Sequence, residues 1–291
     1  MAYPLVDAPY GFKAINELNG LPYAGATRQI PVPYNNSVAL FNGDLVEING
    51  SGVIRLTQMS AASSPGTAIA GQIGVFVGCS YTNPSTGQKL FAQYLPAGTL
   101  ANDITAYVVD DPSALFKVVM VGQAYNTISN TVSAVGYANQ TLVGTNLYAV
   151  TGVAGSTTTG NSKMAVSGSY PATSGTGTTR VSATALPFRM VAVVPETAVT
   201  VTGSGTCSST TITLDAAVTG LQAGMQFIVP GVANANPGDY NLVTNVNGTT
   251  VTISSAMTIS SSTQLSFVGF PEVLVKWNQG YHSYQFATGV A

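Results

Sequence analysis

Charge is what this sequence has least of. Only 7% of its 291 residues are Asp, Glu, Lys or Arg, against about 25% in an ordinary soluble domain. Nine basic and eleven acidic residues leave a net charge of −2. No basic field is therefore available to neutralise phosphates, which excludes nucleic acid as the partner. Histidine occurs once and cysteine twice, and the eleven carboxylates are scattered without a D-x-D-x-D pattern. Clustered ligands for zinc or calcium are missing. A nucleophile elbow G-x-S-x-G, a phosphate loop G-x-x-x-x-G-K-[ST] and a dinucleotide fingerprint G-x-G-x-x-G are also missing. The expectation is a protein that is not an enzyme and carries no metal or cofactor. The run IAGQIGVFVGC is too short and too interrupted to span a bilayer. The opening MAYPLVDAPY has no basic region followed by an apolar one, so neither a secretory signal nor a membrane partner is expected.

What is abundant points to strands. The apolar fraction is 45%, Ser and Thr together number 61 and Gly 31. β-Branched Thr suits a pleated surface and Gly weakens helices. SVALFNGDLVEINGSGVIRLTQ reads as three short strands broken at Asn42-Gly43 and at Asn49 to Gly52. GQIGVFVGCSYTNPSTGQKLFAQYL gives two more around Asn83 to Gly87, and DITAYVVDDPSALFKVVMVG a further pair around Asp110-Asp111-Pro112. Residues 127–138 carry a weak helical pattern, and 153–180, rich in Ser, Thr and Gly, reads as a long exposed loop. Cys79 closes an apolar run and reads as a small buried hydrophobe. A bridge to Cys207 would need the two backbones within about 7 Å, which the sequence leaves open.

Between Ala198 and Val268 the composition changes. Asp215 and Asp239 are the only charges there. Apolar residues alternate with Thr, Ser and Gln in the period of a half-buried strand, and Asn247-Gly248 is a hairpin signal. Charge and aromatics return together in FPEVLVKWNQGYHSYQF. We therefore expect an all-β protein with an antiparallel barrel or sandwich body over 35–197 and 270–291. A small β-domain over 198–269 is inserted into it, and an extended N-terminal arm covers 1–34. The closing segment 270–291 supplies a last body strand, with His282 at a surface or interface and Asp110-Asp111 in a turn, where adjacent carboxylates cannot face one another.

The arm combines prolines at 9, 22, 31 and 33 with Tyr3, Tyr10, Phe12, Tyr23 and Tyr34. Proline forbids one long element, and aromatic and Arg side chains are the usual interface anchors. The arm is expected to lie on a neighbouring surface, its own domain or another subunit.

YGFKAINELNGLPYAGATRQIPV, ALFNGDLVEI, GVFVGCSYTNPSTGQKLFAQYLPAGT and AYVVDDPSALFKV together resemble small head proteins of tailed bacteriophages, marine and cyanobacterial phages above all. The resemblance extends over about 1–197 and 270–291. It implies a capsid decoration, or cement, protein on the outer surface of the virion. Its partners would be the major capsid protein and its own copies in a homotrimer. In that role Tyr10, Phe12, Ile15, Leu18 and Tyr23 would anchor the arm, and Lys13, Glu17 and Arg28 would fix its register. The inserted segment resembles small β-modules of phage tail and surface proteins. That leaves a tail, fibre or adhesin role open, with a cell-surface glycan as the ligand of 198–269.

Overall fold

The computed structural model describes residues 9–17, 25–55, 72–121, 143–151, 154–167, 169–171, 178–180, 186–194, 199–202, 208–218, 221, 223, 225–228, 243–268 and 272–285. The chain is all-β, as its composition requires, and includes a closed five-stranded barrel with further sheets. Strands β1 (Lys13–Glu17), β2 (Arg28–Pro31), β3 (Leu45–Asn49), β4 (Gly52–Arg55), β5 (Gln72–Thr82), β6 (Lys89–Ala92), β7 (Thr105–Val109) and β8 (Ala114–Val121) occupy the first part. β9 (Asn146–Val150), β10 (Ala165–Ser167), a ribbon of β11 (Ser169–Pro171) with β12 (Thr178–Arg180), and β13 (Phe188–Val193) follow.

Turn chemistry fixes the hairpins. Asn49 faces Gly52 across the β3–β4 turn, and the Asn49 side chain accepts the Ser51 N–H. Asn83 likewise accepts N–H bonds from Ser85 and Thr86 between β5 and β6. Such Asx turns replace a backbone partner with a side-chain oxygen. The first of the three strands expected in residues 37–58 is only a bridge from Leu40 to Leu95.

Two sheets make the body. One runs β2-β7-β5-β3-β4, with β6 alongside β5. The other closes on itself: β8 pairs with β10, β10 with β9, β9 with β13, β13 with β20 (Glu272–Trp277), and β20 returns to β8. On one edge of β8, β1 pairs with residues 114–117 and β10 with residues 120–121. Five strands leave no lumen, so side chains fill the interior: Phe12, Phe116, Phe188, Val273, Val275 and Trp277 are all buried there. β5 lies between the two cores. Val75 belongs to the barrel's cluster and Ile73, Phe76 and Cys79 to the other. Burial on both faces explains the near-continuous apolar run IGVFVGC, a pattern that one-sided strands do not show. Gly74 makes this packing feasible, because a Cβ there would stand 2.0 Å from the Val109 carbonyl oxygen.

The structure departs from the sequence reading in several places. β7 and β8 flank Asp110-Asp111-Pro112 but belong to different sheets. The turn is a corner, closed by Asp111 accepting the Ser113 N–H. Residues 165–167, expected in a loop, form the buried barrel strand β10. The helical pattern at 127–138 lies outside the described residues, as does Cys207; Cys79 is a buried free thiol.

Residues 199–268 contain β14 (Val199–Thr202), β15 (Thr211–Thr213), β16 (Gln226–Ile228), β17 (Val243–Asn247), β18 (Thr250–Ile253) and β19 (Gln264–Val268). They pair only with one another among the described residues, as β14-β19-β16 and β15-β18-β17. Antiparallel pairing of β14 with β19 brings the ends of this segment together, and Val193 faces Val273 just outside it. The segment therefore interrupts the β13–β20 hairpin without breaking its pairing. Its buried side chains, including Ile212, Val251, Leu265 and Phe267, join the barrel's apolar cluster.

Candidate functional site

Residues 10–13, expected in an arm that reaches outward, instead meet two other chain segments within the body. Gly11 has φ +82 and Gly43 φ +94; a Cβ on Gly11 would come within 2.6 Å of the Ser162 Cβ, and one on Gly43 within 2.9 Å of the Phe12 nitrogen. Only glycine allows backbones this close in a left-handed conformation. Phe12 N–H donates to Gly43 O at 3.0 Å and Ser162 N–H to Asn42 O at 2.9 Å. YGFK, FNGD and GNSKM are thus laced at one node.

The node's polar groups are satisfied internally. Asp44 is fully buried and accepts the Phe41 N–H at 2.8 Å and the Ser162 hydroxyl at 2.6 Å. Asn42 donates its amide to Val77 O at 2.7 Å. Lys13, half-buried, donates from Nζ to Asn42 Oδ1 and, at 3.1 Å, to Asn161 Oδ1, which also accepts from Gln93 Nε2 at 3.0 Å. Loss of hydration brings the Lys13 amine down to about 8, only partly opposed by the field of Asp44.

The remaining expected contact residues divide as follows. Phe12 is fully buried, stacked on Phe188 at 4.9 Å and edge-on to Phe116 at 6.4 Å. Its expected role as a surface anchor is therefore corrected, because burial in an aromatic core stabilises it more than exposure in an arm would. Tyr10 is half-buried, donating to Glu272, which also pairs with Lys117 at 3.0 Å. Burial and that carboxylate push its hydroxyl far above the usual tyrosine range. Ile15 is half-buried on β1, and Glu17 ends β1 opposite Ala114. Leu18 and Tyr23 lie outside the described residues. Of the eight, Arg28 is exposed, at the start of β2. The arm as an element separate from the body is likewise corrected over 13–17 and 28–31, where both pieces are sheet strands.

Arg28 belongs to a second constellation that the sequence did not disclose. It donates to the Tyr284 hydroxyl, stands 3.6 Å from Asp110 and lies over the Tyr284 ring. Tyr284 donates in turn to Asp110 at 2.7 Å. Beside it His282, expected at a surface, is fully buried. Its Nε2 bonds Ile73 O at 2.7 Å, its Nδ1 accepts the Tyr284 N–H at 3.3 Å, and its ring abuts Trp277. Desolvation lowers its proton affinity despite the Ile73 bond and the fields of Asp110 and Asp111. A 3-10 turn, Ser283–Gln285, thus clasps β2, β5 and the β7–β8 corner together.

Burial also pushes the Cys79 thiol up to about 12, which leaves it chemically inert at neutral pH. Among the described residues no three His, Cys, Asp or Glu side chains converge as metal ligands, and no helix is long and apolar enough to cross a membrane. No protein-family model, curated protein or solved structure matches the chain.

Proposed function

We propose that this protein is a virion structural protein that settles on the outer surface of an assembled phage capsid and stabilises it, a decoration protein. The observation that carries the reading is the use made of its few ionisable groups. The single histidine is buried with both ring nitrogens engaged. The Lys117–Glu272 pair ties β8 to β20, the Arg28–Asp110 pair ties β2 to the β7–β8 corner, and the Lys13 node ties β1 to residues 42 and 161. The head-protein-like motifs YGFK and FNGD meet at that node. They act in this reading as architecture, and no substrate is transformed.

With Phe12 inside, the seat on the major capsid protein is carried by exposed apolar side chains. Phe91 on β6 is 76% exposed, Tyr34 56% and Leu100 52%. Anything that binds only the assembled shell stabilises it by mass action. A standard interface of about 800 Å² per partner suffices, and a homotrimer touching several sites adds avidity. Purified protein should co-sediment with capsids stripped of it, resist release by salt because few charges take part, and lose occupancy on Phe91→Asp. Failure to co-sediment, or release at moderate ionic strength, would contradict the reading.

A tail, fibre or adhesin role is favoured by one observation. β15, β17 and β18 bury Ile212, Val243, Val251 and Ile253 while exposing Thr211, Thr213, Thr244 and Thr250. That threonine face, in a segment set into a hairpin, suits hydrogen bonding to a cell-surface glycan. Glycan-array binding by the full protein would support it.

A further inference from the structure

Lys13 serves the proposed function only through its hydrogen bonds, and the reactivity of its amine is used by neither reading. It is half-buried, and both of its described acceptors are carboxamide oxygens, those of Asn42 and Asn161. Asn42 is the nearer. Its amide is held by Val77 O at 2.7 Å, and its backbone is clamped on both sides through Gly160 O and Ser162 N–H. Asn161, fixed by Gln93, holds the amine from the other side. Amide aminolysis is slow between free molecules, but positioned groups reach effective molarities of about 10⁵–10⁸ M.

We propose that Lys13 and Asn42 join in an intramolecular isopeptide bond that the folded chain forms on itself. Neutral Nζ attacks the Asn42 Cγ, the Nζ–Cγ bond forms and the Cγ–Nδ2 bond breaks. Nδ2 leaves as ammonia, carrying the proton that Nζ sheds. No oxidant, metal or co-reactant is needed. Asn161 is a positioning residue, and Asp44, the one described carboxylate whose field acts on Lys13, holds the 41–44 turn in place. Lys117, opposite Lys13 on β8, is turned to Glu272 and does not compete for Asn42. With the Lys13 amine near 8, about a tenth is neutral at pH 7, against under about 0.1% for an ordinary lysine. The bond would tether β1, which lies beside the barrel, to the 41–44 turn, so that the strand could not peel away. Such a cross-link acts as a disulfide does by restricting the unfolded chain.

Denaturing mass spectrometry of the full chain should read one ammonia less than the sequence mass, about 17 Da, with a branched peptide joining Lys13 to Asn42. K13R, which keeps the cation and its hydrogen bonds, and N42A should both abolish the branched peptide; N161A should slow its formation. After refolding, formation should be about two orders of magnitude slower at pH 6 than at pH 9, following the neutral amine. Full mass in protein aged at pH 9 would overturn the proposal. So would a loss that persists in K13R, which marks an Asn42–Gly43 succinimide, or a branch to Asn161. Wild-type sheet content in K13R by circular dichroism keeps a folding failure from mimicking success.

Discussion

Truncating Phe12 to alanine separates a core strand from a free arm. The ring is fully buried, with its face on Phe188 and its edge toward Phe116, and Phe188 continues the stack to Trp277 at 4.4 Å. Removing it deletes a buried aromatic and leaves a cavity bounded by two large rings that cannot collapse without moving β8 or β13. Phe→Ala at such sites costs about 3–5 kcal/mol. For a chain of this size each kcal/mol shifts Tm by about 2–4 °C, so the expected drop is roughly 6–20 °C. The assay is thermal unfolding of the isolated protein followed by circular dichroism. An arm residue that waits for a partner would change stability by no more than about 0.5 kcal/mol. A Tm within a degree or two of wild type would therefore refute the placement of Phe12 in the barrel core. Phe91→Ala is the internal control: at 76% exposure it should leave Tm nearly unchanged while weakening shell binding.

Three further outcomes follow from local contacts. The native His282 imidazole resists protonation, whereas the unfolded one titrates near 6.5. The unfolded chain then binds more protons below that pH, so stability should fall as pH drops from about 6.5, and urea titrations of His282→Asn should show a shallower slope. Gly74→Ala forces a Cβ against the Val109 carbonyl oxygen at 2.0 Å. The expected loss is at least about 1–3 kcal/mol, read as a lower urea midpoint. Lys89→Ala breaks an exposed 2.8 Å pair with Asp103 and should shift stability by less than about 1 kcal/mol; a larger shift would show that the β5–β6 edge depends on it.

How much of this was legible in the sequence depended on the range of the interaction. The turns at Asn49–Gly52 and Asn83–Gly87 are set by side chains bonding their own backbone two or three residues away, so residue type alone disclosed them. At Asp110–Pro112 the same local chemistry disclosed a turn but not that its two strands part to different sheets. Asn247-Gly248 marked a hairpin whose two loop residues are Gly248 and Thr249, with φ +62 at Gly248. The segment KAINE has no apolar alternation, and β1 exists because β8 offers it an edge. Phe12 accordingly read as an exposed anchor, when its destination was a core assembled from residues over a hundred positions away. His282 was opaque for the same reason, since the carbonyl that buries it is 209 residues earlier. The Lys13 node needed three segments and two left-handed glycines to come together. Only the glycines, in YGFK and FNGD, left a trace in the sequence.

The most direct test of the central claim is to locate the protein in the particle. Cryo-electron microscopy of virions, with and without it, should show difference density repeating over the outer shell, with a two-sheet body seated on the major capsid protein and the 199–268 segment set into the β13–β20 hairpin. Density confined to the tail or a fibre, or no difference on the shell, would contradict the account.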